Sequence, residues 1–123
     1  MHAAQTIEEL RDPTRALRHA VPEPWHAFAA LYAAAMAPGT LDARTKELIA
    51  LAIATAKGCD GCMAHHAKGA ARAGATQEQV AEMLAVVLLM DGGPATTHAP
   101  RAFAAFLDFV AAEIADGSAA DGG

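Results

Sequence analysis

The chain has 123 residues, enough for one domain and too few for two ordinary ones. Its net charge of −5, with nine Lys and Arg spread along the sequence, argues against nucleic acid or an anionic membrane as partner, since both require clustered basic residues. Hydrophobic residues make up 54% and aromatics only 5%. Alanine dominates, and that favours closely packed helices over a sheet.

The first 20 residues are weakly patterned, with a short helix expected around Ile7–Arg11 and ended by Pro13. A helix follows from Pro22–Pro24, where a first-turn proline is tolerated. Trp25, Phe28, Leu31 or Tyr32, and Met36 recur down one of its faces, and Pro38-Gly39 closes it. Asp42 is the N-cap expected for a third helix, which runs to Lys57 and stops at Gly58. The next helix begins at Cys59–Asp60 and continues to Ala73, with Gly74 as its stop. Thr76-Gln77-Glu78-Gln79 has the form of a capping box and opens a helix to about Met90. Gly92-Gly93-Pro94 breaks that helix. The last one, around Pro94–Ala115, is expected to bury Phe103, Phe106, Leu107, Val110 and Ile114.

The organisation expected is a weak N-terminal segment over 1–20, one helical domain over 21–115 and a disordered tail over 116–123. Five or six helices make an all-α domain of orthogonal or bundle-like form, with no strand pattern and no repeat. The stretch Leu48–Ala54 and the helix ending at Met90 are apolar nearly all round. A domain this small covers such helices most readily by self-association. The N-terminus lacks the apolar core of a secretory signal. The longest apolar runs fall well short of the roughly 20 residues that span a bilayer. A cytoplasmic protein is the expectation, and in that compartment a Cys pair reads as catalytic or metal-binding rather than as a staple.

The two cysteines form Cys59-Asp60-Gly61-Cys62 at the start of a predicted helix. The positive end of the helix dipole and the free amides of the first turn favour thiolate there. Residues i and i+3 share a helix face, so the sulfurs can close a small, reducible disulfide. His66, four residues after Cys62, lies one turn on and can take its proton. His65 points about 100 degrees away and is the weaker candidate. Glu47 precedes the all-apolar stretch, where an unpaired carboxylate is costly to bury. If the two helices pack antiparallel across Gly58, Glu47 meets the middle of the next helix, near His66. A zinc site built on Cys59, Cys62, His65 or His66 and Glu47 is the competing reading, but it lacks a second ligand pair at the usual spacing. His26 and His98 are isolated. A redox sensor or vestigial dithiol in a partner-binding helical oligomer is the non-enzymatic alternative.

The spacing E-x11-C-x2-C-x3-H, set in Lys46-Glu47-Leu48-Ile49-Ala50-Leu51-Ala52 and Gly58-Cys59-Asp60-Gly61-Cys62-Met63-Ala64-His65-His66, resembles the alkylhydroperoxidase D-like, or carboxymuconolactone decarboxylase, family. Ala73-Gly74-Ala75 and Gly92-Gly93-Pro94-Ala95 also look like it, and the likeness covers about residues 25–110. It implies an all-helical fold assembled as trimers or hexamers, with peroxidase or disulfide-reductase activity that needs no metal or organic cofactor. It further implies Cys62 as the thiol activated by His66, Glu47 in the proton relay and Cys59 as resolving partner. The helix-start position leaves Cys59 open as the more acidic thiol. Substrates would be hydroperoxides, and electrons would come from a dithiol such as a lipoyl or thioredoxin-like donor. The best-studied branch carries an additional His between the cysteines, where this chain has Gly61. The branch that decarboxylates a muconolactone generally lacks the dithiol.

Overall fold

The computed structural model describes residues 2–121, with side chains described through Asp116. Six helices follow one another: α1 (Ala3–Ala20), α2 (Pro22–Met36), α3 (Ala43–Lys57), α4 (Asp60–Arg72), α5 (Gln77–Asp91) and α6 (Ala95–Asp121). No strand occurs among the described residues.

The local signals operate as their chemistry requires. Asp42 accepts a hydrogen bond from the Thr45 amide at 2.8 Å and opens α3. Thr76 and Gln79 bond reciprocally, each side chain taking the other's backbone amide, and open α5. Gly58 ends α3 in the left-handed region at φ 66°, where a side chain is strained.

α1 departs from expectation. It runs unbroken through Pro13 although proline removes one helical hydrogen bond and crowds the preceding turn. Ala3 is buried and Ile7 packs against the core, which anchors the first half of the helix, while the residues after Pro13 are exposed apart from the half-buried Thr14. At the other end, the backbone of α6 continues to Asp121, into the tail expected to be disordered over 116–123. The last two residues of that tail lie outside the described ones.

α4 sits at the centre, packed against α1, α3 and α6. Its buried face consists of Met63, Ala64, Ala67, Ala70 and Ala71, mostly small side chains that let the neighbouring helices approach closely. α6 covers it with Ala95, Ala99, Ala102, Ala105, Phe106 and Phe109. Of the residues expected to be buried there, Phe106 is fully enclosed, Phe103, Leu107 and Val110 are half-buried, and Ile114 is exposed. Phe106→Ala should cost about 3–5 kcal/mol, measurable as a fall in the urea midpoint at unchanged slope.

Not all the apolar surface is enclosed. Ile49 and Ile53 of α3 and Val86, Leu89 and Met90 of α5 are exposed, Leu89 by 80% and Met90 by 78%. Together with Leu48, Ala52 and Met83 these helices border an open groove of about 390 Å³. No helix among the described residues is long and apolar enough to cross a membrane.

Candidate active site

Cys59 is the N-cap residue of α4 and Cys62 lies in its first turn, with Cα atoms 5.2 Å apart and the two sulfurs joined as a disulfide. The Cys59 sulfur also accepts the Cys62 amide at 3.2 Å, serving as the cap of its own helix. Cys62 is exposed and Cys59 half-buried, so an incoming molecule meets Cys62 first. Asp60 between them pairs with Arg101 of α6 at 3.4 Å.

One turn further along α4, His66 Nδ1 lies 2.9 Å from Glu47 Oε2 of α3. Both side chains are largely enclosed, at 15% and 16% exposure. α3 and α4 therefore meet in the antiparallel register that brings Glu47 to the middle of α4. The carboxylate holds the Nδ1 proton and fixes the ring, leaving Nε2 as the free nitrogen.

This meeting depends on Gly69. A Cβ placed there would lie 2.5–2.7 Å from the Glu47 carboxyl atoms, so only glycine lets Glu47 rest on α4. Gly58 plays a similar part at the entry to the dithiol turn, since a Cβ there would meet the His98 ring at 2.6 Å. His98, isolated in sequence, is thereby placed on α6 beneath the residue preceding Cys59. Its Nδ1 is buried without a hydrogen-bond partner. Gly61 lies under α1, where a Cβ would be 2.9 Å from Leu10 Cδ1. The space that a larger residue between the cysteines would use is taken here by Leu10.

Tyr32, which the sequence offers only as one member of an apolar stripe, and His65, the weaker relay candidate, complete the surroundings. The Tyr32 hydroxyl is 3.0 Å from His65 Nε2, and the Tyr32 ring stacks on His66 with centroids 6.1 Å apart and planes at 19°. α2, which carries Tyr32, is tethered by Lys46 of α3. Its ammonium donates to the carbonyls of Ala35 at 2.8 Å and Ala37 at 2.6 Å, satisfying the orphan carbonyls at the end of that helix.

Burial, and next the adjacent His66, push the His65 imidazole below its ordinary value of 6.5, with Glu47 opposing and Lys68 assisting. Burial, and then Glu47, push the Tyr32 phenol above its ordinary value. Because His65 resists protonation in the folded state, the unfolded chain takes up that proton first as the pH falls. The His65 contribution to stability is thus present above pH 6.5 and lost as the pH drops through 6.5 toward the depressed folded value. The melting temperature should fall between pH 7.5 and about 5.5, and the part due to His65 should vanish in His65→Gln.

Known proteins place this arrangement in context. Residues 22–105 match the model of the carboxymuconolactone decarboxylase family. A protein of Cupriavidus necator is 43% identical over 100 residues, covering 81% of this chain and 88% of its own length. The protein 4 of the cox locus of Paracoccus denitrificans is 47% identical over 78 residues, covering 63% of this chain and 70% of its own length. Two crystal structures superpose along nearly the whole chain. A carboxymuconolactone decarboxylase family protein from Legionella pneumophila, in its apo form, has a TM-score of 0.85 and 35% identity, with 88% of this chain and 96% of that one covered. One from Thermotoga maritima, for which involvement in an antioxidative response has been suggested, has a TM-score of 0.79 and 27% identity, with 91% and 95% covered.

Proposed function

The chain belongs to the carboxymuconolactone decarboxylase family, and from that premise we propose that it reduces hydroperoxides, or a partner disulfide, through the Cys59–Cys62 dithiol. The observation that carries this reading is the 2.9 Å bond between His66 Nδ1 and Glu47 one helical turn from a disulfide at the start of α4. A reducible sulfur pair and an oriented, largely enclosed base are what two-electron thiol chemistry requires. The antioxidative role suggested for the Thermotoga maritima relative supports the same class of reaction.

In the proposed cycle the Cys62 thiolate attacks the terminal oxygen of ROOH. The O–O bond breaks, Cys62 becomes a sulfenic acid, and the leaving alkoxide departs as ROH with a proton delivered by His66. The Cys59 thiol then displaces water from the sulfenic acid and the disulfide forms. An external dithiol of lipoyl or thioredoxin-like type reduces it by exchange and is itself oxidised to a disulfide. The sum is ROOH plus a dithiol giving ROH, water and a disulfide. A reducing compartment such as the cytoplasm supplies the donor. The muconolactone decarboxylation after which the family is named leaves the two sulfurs without a task.

The test is steady-state consumption of an organic hydroperoxide with dihydrolipoamide as donor. Many turnovers per protein support the enzyme. A single stoichiometric oxidation that stops with donor present would instead favour a redox-sensing protein. The exposed apolar faces of α3 and α5 favour self-association to a trimer or hexamer as part of the proposal. Sedimentation should give several times the 12.6 kDa of one chain, and Leu89→Asp should shift the protein toward monomer.

A further inference from the structure

One stripe of α1 runs through Ala3, Ile7, Leu10, Thr14, Leu17 and Val21, the alternating three-and-four spacing that keeps residues on one helix face. Only its first part is used inside the chain, with Ala3 buried and Ile7 packed against the core. Leu10 marks the change. Its Cδ1 lies 2.9 Å from where a Cβ of Gly61 would stand, so it rests on the residue between the two cysteines while staying 46% exposed. Leu17 and Val21 are exposed too and carry the same face onward, Leu17 by about 10 Å along the axis. Arg11, Arg15 and Arg18 each stand one residue past a member of this stripe and so form an exposed basic flank beside it. Arg11 pairs with Glu8, while Arg15 and Arg18 have no carboxylate partner among the described residues. α1 packs on α4 and not on α3 or α5, so this face is separate from those offered above for self-association. It also lies outside the residues 22–105 that match the family.

We propose that this face of α1 selects the substrate: it takes a fatty-acid hydroperoxide, with the aliphatic chain along Leu10 and Leu17 and the carboxylate on Arg15 and Arg18. This rests on the reading of Cys62 as the attacking thiol and narrows its substrate class. Cys62 is exposed and follows directly on the residue that Leu10 covers, so a chain lying on the stripe brings its hydroperoxide to that sulfur. Methylenes laid against the leucines leave water on one side, and binding therefore grows with chain length. Arg18 lies about 12 Å from Leu10 along the axis, the kind of span that separates a mid-chain hydroperoxide from the carboxylate of a long-chain acid. Guanidinium groups hold a carboxylate through paired donors. Two of them suit one carboxylate and fall short of the cluster that an anionic membrane surface requires. The bond changes are those of the cycle above. The O–O bond breaks, the fatty-acid hydroperoxide becomes a hydroxy acid, the second oxygen leaves as water, and the dithiol supplies the two electrons. The α1 side chains make and break no bond; they determine which peroxide binds.

The experiment uses reduced Cys59→Ser protein, which leaves Cys62 as its one thiol, and maleimides bearing carboxylate-ended chains: maleimidopropionate, maleimidohexanoate and maleimidoundecanoate. The readout is the alkylation rate of each relative to N-ethylmaleimide. It needs no peroxide turnover, so a protein without peroxidase activity still decides the inference and loses only the reaction proposed above. The ratio should rise with chain length, to about tenfold for maleimidoundecanoate. Its methyl ester should react about threefold more slowly than the acid, and the double variant Arg15→Gln, Arg18→Gln should remove that difference. High salt should remove it too. Leu10→Asn should lower the ratios of the two longer reagents, whereas Leu17→Asn should lower only that of the longest. With peroxide turnover, a long-chain fatty-acid hydroperoxide should have a lower KM than tert-butyl hydroperoxide and lose that advantage in Leu10→Asn. Ratios that stay flat with chain length would overturn the proposal. So would a rise that survives both leucine variants, or an acid that reacts no faster than its ester in the parent. If Leu10→Asn does not fold, Leu17→Asn, which lies past the anchored part of α1, decides alone.

Discussion

Cys62→Ser is expected to reduce hydroperoxide turnover by at least about a thousandfold, the scale on which a covalent nucleophile is missed. A serine hydroxyl stays protonated at neutral pH and does not attack a peroxide oxygen, whatever base stands beside it. Cys59→Ser should behave differently. Cys62 is the exposed member of the pair and Cys59 the half-buried one. The Cys59→Ser protein should therefore consume one equivalent of peroxide and stop, with a sulfenic acid on Cys62 that a cyclic 1,3-diketone traps and mass spectrometry locates. The two variants would exchange phenotypes if the capping sulfur were the attacking one, since the Cys62 amide that Cys59 accepts also favours a thiolate there. Full activity in Cys62→Ser would end the scheme.

Gly69→Ala should lower kcat/KM by about a hundredfold, the usual cost of displacing a catalytic group by an ångström or so. The methyl group would occupy the place of the Glu47 carboxylate, 2.5–2.7 Å from its atoms. That carboxylate ends a flexible side chain, so it can rotate away and give up the bond to His66 without moving either helix. Replacing a glycine inside a helix by alanine contributes about 0.5–1 kcal/mol of stability, which offsets what the lost bond costs. The melting temperature should hold while turnover falls. An activity loss accompanied by a large loss of stability would mean that the helices themselves were pushed apart. Restoring turnover in the double variant Gly69→Ala, Glu47→Asp, whose shorter acid clears the methyl, would argue for the steric account.

Much of the fold was legible because helix ends announce themselves through local chemistry. Asp42, Gly58 and the Thr76–Gln79 pair each solve a backbone hydrogen-bonding problem within a few residues, and they fall where sequence places them. α1 was not legible at its start because Ala3 and Ile7 are held there against other helices, and no window along the chain contains that contact. The spacing of Glu47, Cys59, Cys62 and His66 shares faces by helical geometry, so their neighbourhood could be reasoned from residue numbers. Tyr32 could not, since one aromatic in an apolar stripe reads as packing. His65 was set aside on its angle from Cys62, a sound argument about α4 that takes no account of a phenol arriving from α2. Gly69 was silent for a third reason: in an alanine-rich helix a missing methyl shows only when the partner that fills its place is known.

α2 has a consequence for how firmly the molecule is held together. It buries none of its side chains fully, while α4 encloses five, and its C-terminal end is held by a single lysine reaching two carbonyls. Free energies of local opening follow such differences, from near zero for lightly packed elements up to the global value for the core. In a single copy of the chain the amides of α2 therefore exchange by release of that helix alone, and those of α4 only when everything opens. Release of α2 takes Tyr32 with it and bares both imidazoles. The bond between Glu47 and His66 is made between α3 and α4 and outlasts the event.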